Sequence, residues 1–358
     1  MGHHINNGAA MNVMLTELLH FMSRPNIAVD LGTANTRIYS SLNGETTDNP
    51  SSINLVVRKT TPVSNEYFQY INNKISTKPL RRGVIVDLKN ATILLKKLVN
   101  KNRKSLLSPM ALATAPIGTT EKERDLLRKA LMNAGTSHVA IIPESRAAAI
   151  GAGLDLALPQ AQMLLDIGDG VTEMAVFRGG RILYHATVHL ACSDLHRSVR
   201  STILARHRVQ LENASIEKLT HVISSMQNEQ ESNVGIFDVS GIDAVQGKRV
   251  HCCLNRKDVI NALEPVLMKI TVIIVNFLKK LPDKIYSEIL ESGITLTGGG
   301  ACIAGMDSLI ARRTNIKVRV ALDPLHAVIN GARLSLNYWI GKEDGWENFT
   351  WPKLTAFR

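Results

Sequence analysis

No stretch of this chain approaches the eighteen or so uncharged apolar residues that a membrane-spanning helix requires. The richest run, Ile270 to Leu278, is closed off by Lys269 and Lys279. A soluble or peripheral protein is expected. Cysteine is scarce: Cys192, Cys252, Cys253 and Cys302 show neither metal-ligand spacing nor a disulfide framework, which fits a reducing cytosol. Among 11 histidines no His-x-x-x-His pair with an acidic third ligand stands out, and His3-His4 read as appended residues. Acidic residues are also short, 31 against 42 lysines and arginines, for a net charge of +11. Such a balance favours anionic surfaces such as lipid, nucleic acid or nucleotides. The excess is dispersed in short clusters (Arg81-Arg82, Lys96-Lys97, Lys101 to Lys104, Lys279-Lys280, Arg312-Arg313) that read as solvated faces, so no specific nucleic-acid partner is expected. With 45% hydrophobic and 20% charged residues, 358 residues suffice for two domains or one large split fold with buried cores.

What is present centres on Asn26-Ile-Ala-Val-Asp30-Leu-Gly32-Thr33-Ala34-Asn35-Thr36-Arg-Ile-Tyr-Ser40. An apolar strand runs into Asp30, a glycine opens a turn of small hydroxyl and amide residues, and a β-rich run leaves it. A glycine lets backbone N–H groups approach an anion, Thr33, Asn35 and Thr36 add donors, and Asp30 stands where a hydrated divalent cation would shield phosphates. An ordinary hairpin carries the same pattern.

Residues 1–10 read as disordered, with Met11 as a candidate native start. Met11, Met14, Leu15, Leu18, Leu19 and Met22 then share one helical face, ended by Pro25. A short amphipathic helix of this kind suits either a membrane interface or a docking surface on protein. Residues 41–80 are polar and strand-like, a small lobe. Gly83 to Asp87 reads as a return to the core, followed by a basic amphipathic helix, Ala91 to Lys101. From 110 to 165 strands and helices alternate cleanly, and Thr120 with Glu123 forms a capping-box pattern that starts a helix over Glu121 to Ala134. The strand Gln162 to Asp166 enters a second glycine turn, Ile167-Gly168-Asp169-Gly170-Val171-Thr172, and leaves through Glu173 to Phe177. Two strand-end aspartates, each followed by a glycine hairpin, signal an internal duplication. Residues 195–285 are mainly helical, with a strand-like interval from Val234 to Cys253. Then Ile294 to Thr297 ends in Gly298, Gly299 and Gly300, where a flat ring or sugar can lie against backbone.

Asp30 to Thr36, Asp166 to Thr172 and Leu296-Thr-Gly-Gly-Gly-Ala301 follow the order of the phosphate-1, phosphate-2 and adenosine motifs of the actin-like ATPase superfamily. Within it the chain resembles the bacterial actin MreB family over about residues 14–337, most closely in the first motif, Gly83 to Asp87, Ala147 to Gly153 and Asp323-Pro324-Leu325. The resemblance implies an α/β, actin-like ATPase fold of two duplicated α/β domains, each with a smaller subdomain. Expected boundaries are 1–24 for the tail and amphipathic helix, 25–155 for domain I with its lobe at 41–80, and 156–322 for domain II with a mainly helical subdomain at 195–288. Residues 323–340 would return to domain I and 341–358 form an aromatic tail. The resemblance also implies ATP and Mg2+ as cofactors. Asp30 would organise the metal shell, Gly32, Thr33, Ala34, Asn35 and Thr36 would hold the phosphates, and Asp166 would stand near metal and attacking water. Gly168, Asp169 and Gly170 complete the phosphate contacts, Gly298 to Gly300 meet the adenosine, and Glu144 falls at the position that activates the water.

Departures from the family pattern concern nucleotide grip. Asp169 and Val171 replace a glycine and a threonine, and Asp169 brings a charge that weakens binding or demands a cation. A Gly-Gly-Asp element is replaced by Ala191-Cys192-Ser193-Asp194, Thr220 and Val222 stand where Lys and Glu usually serve the nucleotide, and Pro143 and Ser145 flank Glu144. The tail from Gly341 carries Trp346, Phe349, Trp351 and Phe357, aromatics suited to a partner, a membrane or an exposed groove. The leading expectation is a cytoplasmic filament-forming ATPase, peripheral at the inner membrane through Met14, Leu15, Leu18, Leu19 and Met22, that works with cell-wall or membrane proteins in cell shape. The alternatives are an actin-like adaptor without ATPase activity and, third, a DNA-segregating filament.

Overall fold

In the computed structural model, the described residues are 25–63, 67–102, 105–220 and 236–339. The amphipathic segment 11–22, Val222 and the tail at 341–358 lie outside them. The described residues divide into two units. One runs to Ile142 apart from Pro116–Gly118 and takes up the chain again at Ser335, and the other holds Pro116–Gly118 and Pro143–Leu334.

The first unit opens on the hairpin β1 (Asn26–Leu31) and β2 (Asn35–Ser40), to which β3 (Thr46–Pro50) adds at the edge. A long ribbon of β4 (Ile53–Val63) and β5 (Tyr67–Thr77) and a short pair, β6 (Leu80–Arg81) and β7 (Val84–Ile85), follow. Then come α1 (Leu88–Asn102), β8 (Met110–Ala115), α2 (Glu121–Asn133) and β9 (His138–Pro143), giving a sheet of order β3-β2-β1-β8-β9. Strand β1 is central and flanked on both sides, so Ile27, Ala28, Val29 and Leu31 are all buried, whereas β2 alternates. Helix α1 buries Leu94, Leu95, Leu98 and Val99 and leaves Lys96, Lys97 and Lys101 in water, as its periodicity requires. Helix α2 starts at the expected capping box. The Thr120 N–H donates to Glu123 Oε2 at 2.7 Å and the Glu123 N–H donates to Thr120 Oγ1 at 3.4 Å.

The second unit begins with α3 (Glu144–Gly151), which packs on the sheet of β10 (Gln162–Ile167), β11 (Thr172–Arg178) and β12 (Arg181–Val188). Next are α4 (Cys192–His207), β13 (Val209–Leu211), α5 (Asn213–Thr220), β14 (Ile236–Asp243), β15 (Arg249–Asn255) and α6 (Arg256–Leu278). Then follow α7 (Asp283–Ser292), β16 (Ile294–Thr297), a 3-10 turn at Gly299–Cys302, α8 (Met306–Thr314), β17 (Val318–Val320) and α9 (Ala327–Trp339), whose last residues fall in the first unit. The main sheet has the order β12-β11-β10-β16-β17. This repeats the plan of the first unit: an antiparallel three-stranded meander whose first strand then takes a parallel neighbour by a helical crossover.

The segment read as mainly helical also contains a three-stranded antiparallel sheet, β13-β14-β15, backed by α4, α5 and α6. Its first strand is only three residues long, too short for a period of two to show. The core runs from Met163 and Leu165 of β10 through Leu195 and Val199 of α4 to Leu263, Ile270 and Ile274 of α6. Among the described residues no helix is long and apolar enough to cross a membrane.

Candidate functional site

The first glycine turn lies in the first unit. The Gly32 N–H donates to the Asn35 carbonyl at 3.1 Å, and a Cβ on Gly32 would stand 2.7 Å from that oxygen, so the turn is closed tightly enough to require glycine. Ser51, fully buried, braces it from behind: its hydroxyl donates to the Gly32 carbonyl at 2.6 Å and its N–H to the Ala34 carbonyl at 2.8 Å. Thr36 is also fully buried, its hydroxyl 2.7 Å from Ser51 Oγ. The Thr36 hydroxyl thus helps to shape the turn. Thr33 accepts the Gly83 N–H at 2.8 Å, which ties the turn to the Gly83–Asp87 segment, while Ala34 is exposed and Gly32, Thr33 and Asn35 are half-buried. Asp30 is almost wholly buried, with Arg37 Nη1 3.3 Å from its Oδ2, and Arg37 Nε reaches on to Asp48 at 2.9 Å.

The second turn and the glycine triplet come together in the second unit. Parallel pairing of β10 with β16 sets Asp166 beside Thr297, whose hydroxyl donates to Asp166 Oδ1 at 2.7 Å. Gly298 follows in the left-handed region at φ +81°, where a Cβ would strike the Ile167 carbonyl and stand 2.9 Å from Asp166 Oδ1. A Cβ on Gly300 would meet the Ile167 side chain at 2.5 Å. Gly298 and Gly300 are thus flush against the strand that carries Asp166, and only glycine fits at those two positions, whereas a Cβ on Gly299 would meet nothing nearer than Cys192 Sγ at 3.9 Å. The Gly168 N–H donates to the Val171 carbonyl at 2.9 Å, and the Cys192 and Ser193 N–H groups reach the Gly168 and Asp169 carbonyls at 3.1 and 2.9 Å. The Ala191-Cys192-Ser193-Asp194 departure therefore still fastens the start of α4 to the turn, with the Asp194 carboxylate accepting the Ala191 N–H at 3.0 Å. Asp169 is half-buried and Gly170 is buried.

Glu144 is the first residue of α3 and the one half-buried residue in the buried run 143–150. That helix is pinned against α9 by small residues four apart: Ala147 and Gly151 on one, Ala327 and Gly331 on the other. A Cβ on either glycine would overlap the facing alanine's carbonyl. Two residues on, Arg146 is buried with no hydrogen-bond partner at Nε or Nη1, and burial pushes its guanidinium down to about 10.

Sequence reasoning missed two residues that set the electrostatics of these turns. Arg37 stands opposite Asp30 in the β1–β2 register, and Glu173 stands opposite Asp166 in the β10–β11 register. Each is seven residues after its aspartate, so superposing the duplicated hairpins in sequence would have exposed the pair. Glu173 is wholly buried, accepting the Ile117 N–H at 2.6 Å and the Thr187 hydroxyl at 3.0 Å on Oε1. Burial pushes its carboxyl up to about 8; the Ile117 N–H pulls against that rise and the charge of Asp166 adds to it. Thr220, where the family pattern has a nucleotide-facing side chain, is buried and returns its hydroxyl to the Glu217 carbonyl at 2.7 Å.

Residues 24–341 match the family model described as MreB/Mbl protein. The chain belongs to the MreB/Mbl family. It is 30% identical over 323 residues to the cell shape-determining protein MreB of Escherichia coli strain K12, covering 87% of this chain and 92% of that one. To the cell shape-determining protein Mbl of Bacillus subtilis strain 168 it is 29% identical, covering 87% and 95%. Among solved structures, MreB5 of Spiroplasma citri bound to AMPPNP superposes with a TM-score of 0.76 at 26% identity, over 88% of this chain and 97% of that one. A MamK double helical filament matches at 0.67 with 19% identity, over 87% and 99%, and bears on the fold alone. The chain therefore has the actin-like fold that its motifs implied.

Proposed function

We propose that this member of the MreB/Mbl family binds ATP with Mg2+, assembles into filaments and serves in cell-shape organisation. The observation that carries the reading is the survival of both glycine turns and of the triplet at Gly298 to Gly300, with Gly32, Gly298 and Gly300 packed so closely that a Cβ would collide with backbone or with Ile167. Positions that tolerate no Cβ beside a buried carboxylate suit a ligand that packs on backbone. The residues fit the metal as well, since Asp30 in the first turn and Asp166 in the second each offer the hard oxygen ligand that magnesium takes, mostly through water. The magnesium ion bound with ATP would supply the cation that Asp169 demands. In this reading Gly32, Thr33, Ala34, Asn35 and Thr36 and, from the second turn, Gly168 to Gly170 hold phosphates, and Asp30 and Asp166 orient the metal shell. Glu144 accepts the attacking water's hydrogen bond. The solved relative with AMPPNP supports nucleotide binding, and the relatives named for cell shape support the cellular role. Peripheral attachment to the inner membrane through Met14, Leu15, Leu18, Leu19 and Met22, and contact with cell-wall or membrane proteins, complete the proposal.

One observation favours a second reading, an adaptor that no longer turns over ATP: Asp30 is already neutralised by Arg37. Sedimentation with and without Mg-ATP, free and on liposomes, separates them when paired with phosphate release from wild type and Glu144→Ala. The expected outcome is nucleotide-dependent pelleting with phosphate release reduced at least ~100-fold in the variant. Equal release from both proteins sinks the role given to Glu144, and absence of Mg-ATP binding leaves the adaptor.

A further inference from the structure

A wholly buried carboxyl is costly to keep in a core, and Glu173 on β11 is one. Within the second unit, two segments that follow strands converge on it. The first is Pro116–Gly118, after β8. The Ile117 N–H donates to Glu173 Oε1 at 2.6 Å, the Gly118 N–H donates to Thr187 Oγ1 at 3.2 Å, and the Thr187 hydroxyl in turn donates to Glu173 Oε1 at 3.0 Å. Thr187 is the residue paired with Glu173 between β11 and β12, so strand register builds this clamp. The fit is close, since a Cβ on Gly118 would stand 3.0 Å from Thr187 Cβ.

The second segment is the start of α3, after β9. The first N–H groups of a helix have no acceptor inside it, and the N-cap of α3, Pro143, makes no side-chain hydrogen bond. Glu173 supplies what Pro143 lacks, because the Ser145 N–H acts as a hydrogen-bond donor to its carboxyl. Oε1 is taken by Ile117 and Thr187, while Oε2 is buried and makes no bond as close as those, which leaves it to face Ser145. The far end of α3 is already pinned, Gly151 lying against the Ala327 carbonyl. Its first turn is the part that Glu173 sets. Ser145 directly follows Glu144 in that turn, so fixing the one fixes the backbone that aims the other.

We propose that Glu173 is a positioning residue: a single carboxyl ties Pro116–Gly118 and the first turn of α3 to β11, and so sets where the Glu144 carboxylate stands. The inference rests on the role given to Glu144 under the proposed function. Glu173 acts through Ser145 and Glu144 and not by contact with substrate. Glutamine separates this role from a plainly structural one. It keeps an oxygen for Ile117 and Thr187 and puts an NH2 group, which accepts no hydrogen bond, where Oε2 faces Ser145. Leucine removes both oxygens.

Hydrogen exchange of the Ser145 amide, followed without nucleotide in wild type, Glu173→Gln and Glu173→Leu, reads the tie directly. That amide is expected to exchange about tenfold faster in both variants, with the Ile117 amide losing protection only in Glu173→Leu. With Mg-ATP, phosphate release by Glu173→Gln is expected to show kcat reduced about tenfold and KM within about twofold of wild type. Equal exchange of Ser145 in wild type and Glu173→Gln overturns the proposal, and so does an unchanged kcat in Glu173→Gln. A wild type that releases no phosphate removes the role given to Glu144 instead, and the exchange of Ser145 then decides by itself whether Glu173 holds the start of α3.

Discussion

The two glycine hairpins occupy the same place in two sheets of the same order, yet they are held by opposite electrostatics. In the first unit the strand facing Asp30 presents Arg37, and the pair is closed into an ion bridge that continues to Asp48. In the second unit the corresponding position facing Asp166 is Glu173, and Asp166 is held by a neutral hydroxyl from the neighbouring parallel strand. A single topology therefore carries one aspartate whose charge is compensated by a guanidinium and one that faces a second carboxyl, Glu173, which burial and the charge of Asp166 hold protonated up to about pH 8. Duplication preserved the backbone, and the side chain across the strand decides what each carboxylate can do.

The strongest way to break that comparison is Glu173→Gln. A carboxyl whose folded pKa is raised from 4.5 to about 8 keeps, between those values, a proton that the unfolded chain has released. Its protonation thus stabilises the fold at low pH, and stability falls as pH rises from about 4.5 to about 8, by an amount on the order of 5 kcal/mol at the upper limit. Glutamine imitates the protonated acid, so the variant is expected to match wild type near pH 4.5 and to lose this slope. Urea unfolding at pH 5 and pH 8 reads the difference, and identical slopes in both proteins would show that Glu173 does not carry it.

Arg37→Met acts on the other hairpin. It leaves Asp30 buried without its guanidinium, and removing one partner of such a pair costs roughly 3 kcal/mol. The measurement is urea unfolding at neutral pH, with a loss below about 0.5 kcal/mol excluding the ion pair as the compensating element. The smallest effects come from the turns themselves. A Cβ at Gly32 stands 2.7 Å from the Asn35 carbonyl, whereas at Gly168 it stands 3.2 Å from the Val171 carbonyl. Gly32→Ala is expected to cost about 2 kcal/mol and Gly168→Ala under about 1 kcal/mol. Thermal unfolding of the two variants gives the order, and the reverse order would mean that the second turn is the tighter one.

Much of this architecture was legible because it is local. The Thr120–Glu123 capping box, the strand running into each aspartate, and the alternation of strand and helix from 110 to 151 are set by neighbours a few residues apart, and they stand where the sequence put them. Other elements were not legible. Strand β3 is a polar pentapeptide, Thr-Thr-Asp-Asn-Pro, that is extended because β2 offers it an edge to pair with. Strand β13 has three residues and exists by pairing with β14. The partner of the Thr36 hydroxyl, Ser51, lies fifteen residues away and could not be read from local pattern.

What the sequence determined by itself was the periodic elements, the glycines required where a turn closes on its own backbone, and the repeat of two aspartate hairpins. What only the tertiary structure decided was the environment of the charged groups: Asp30 against Arg37, Asp166 against Thr297 with Glu173 across the strand, and Arg146 buried without partners at two of its nitrogens. The reason is physical. Backbone conformation follows from sterics and periodicity along the chain, whereas the state of a carboxylate or guanidinium depends on burial and on partners that strand pairing delivers from elsewhere in the sequence.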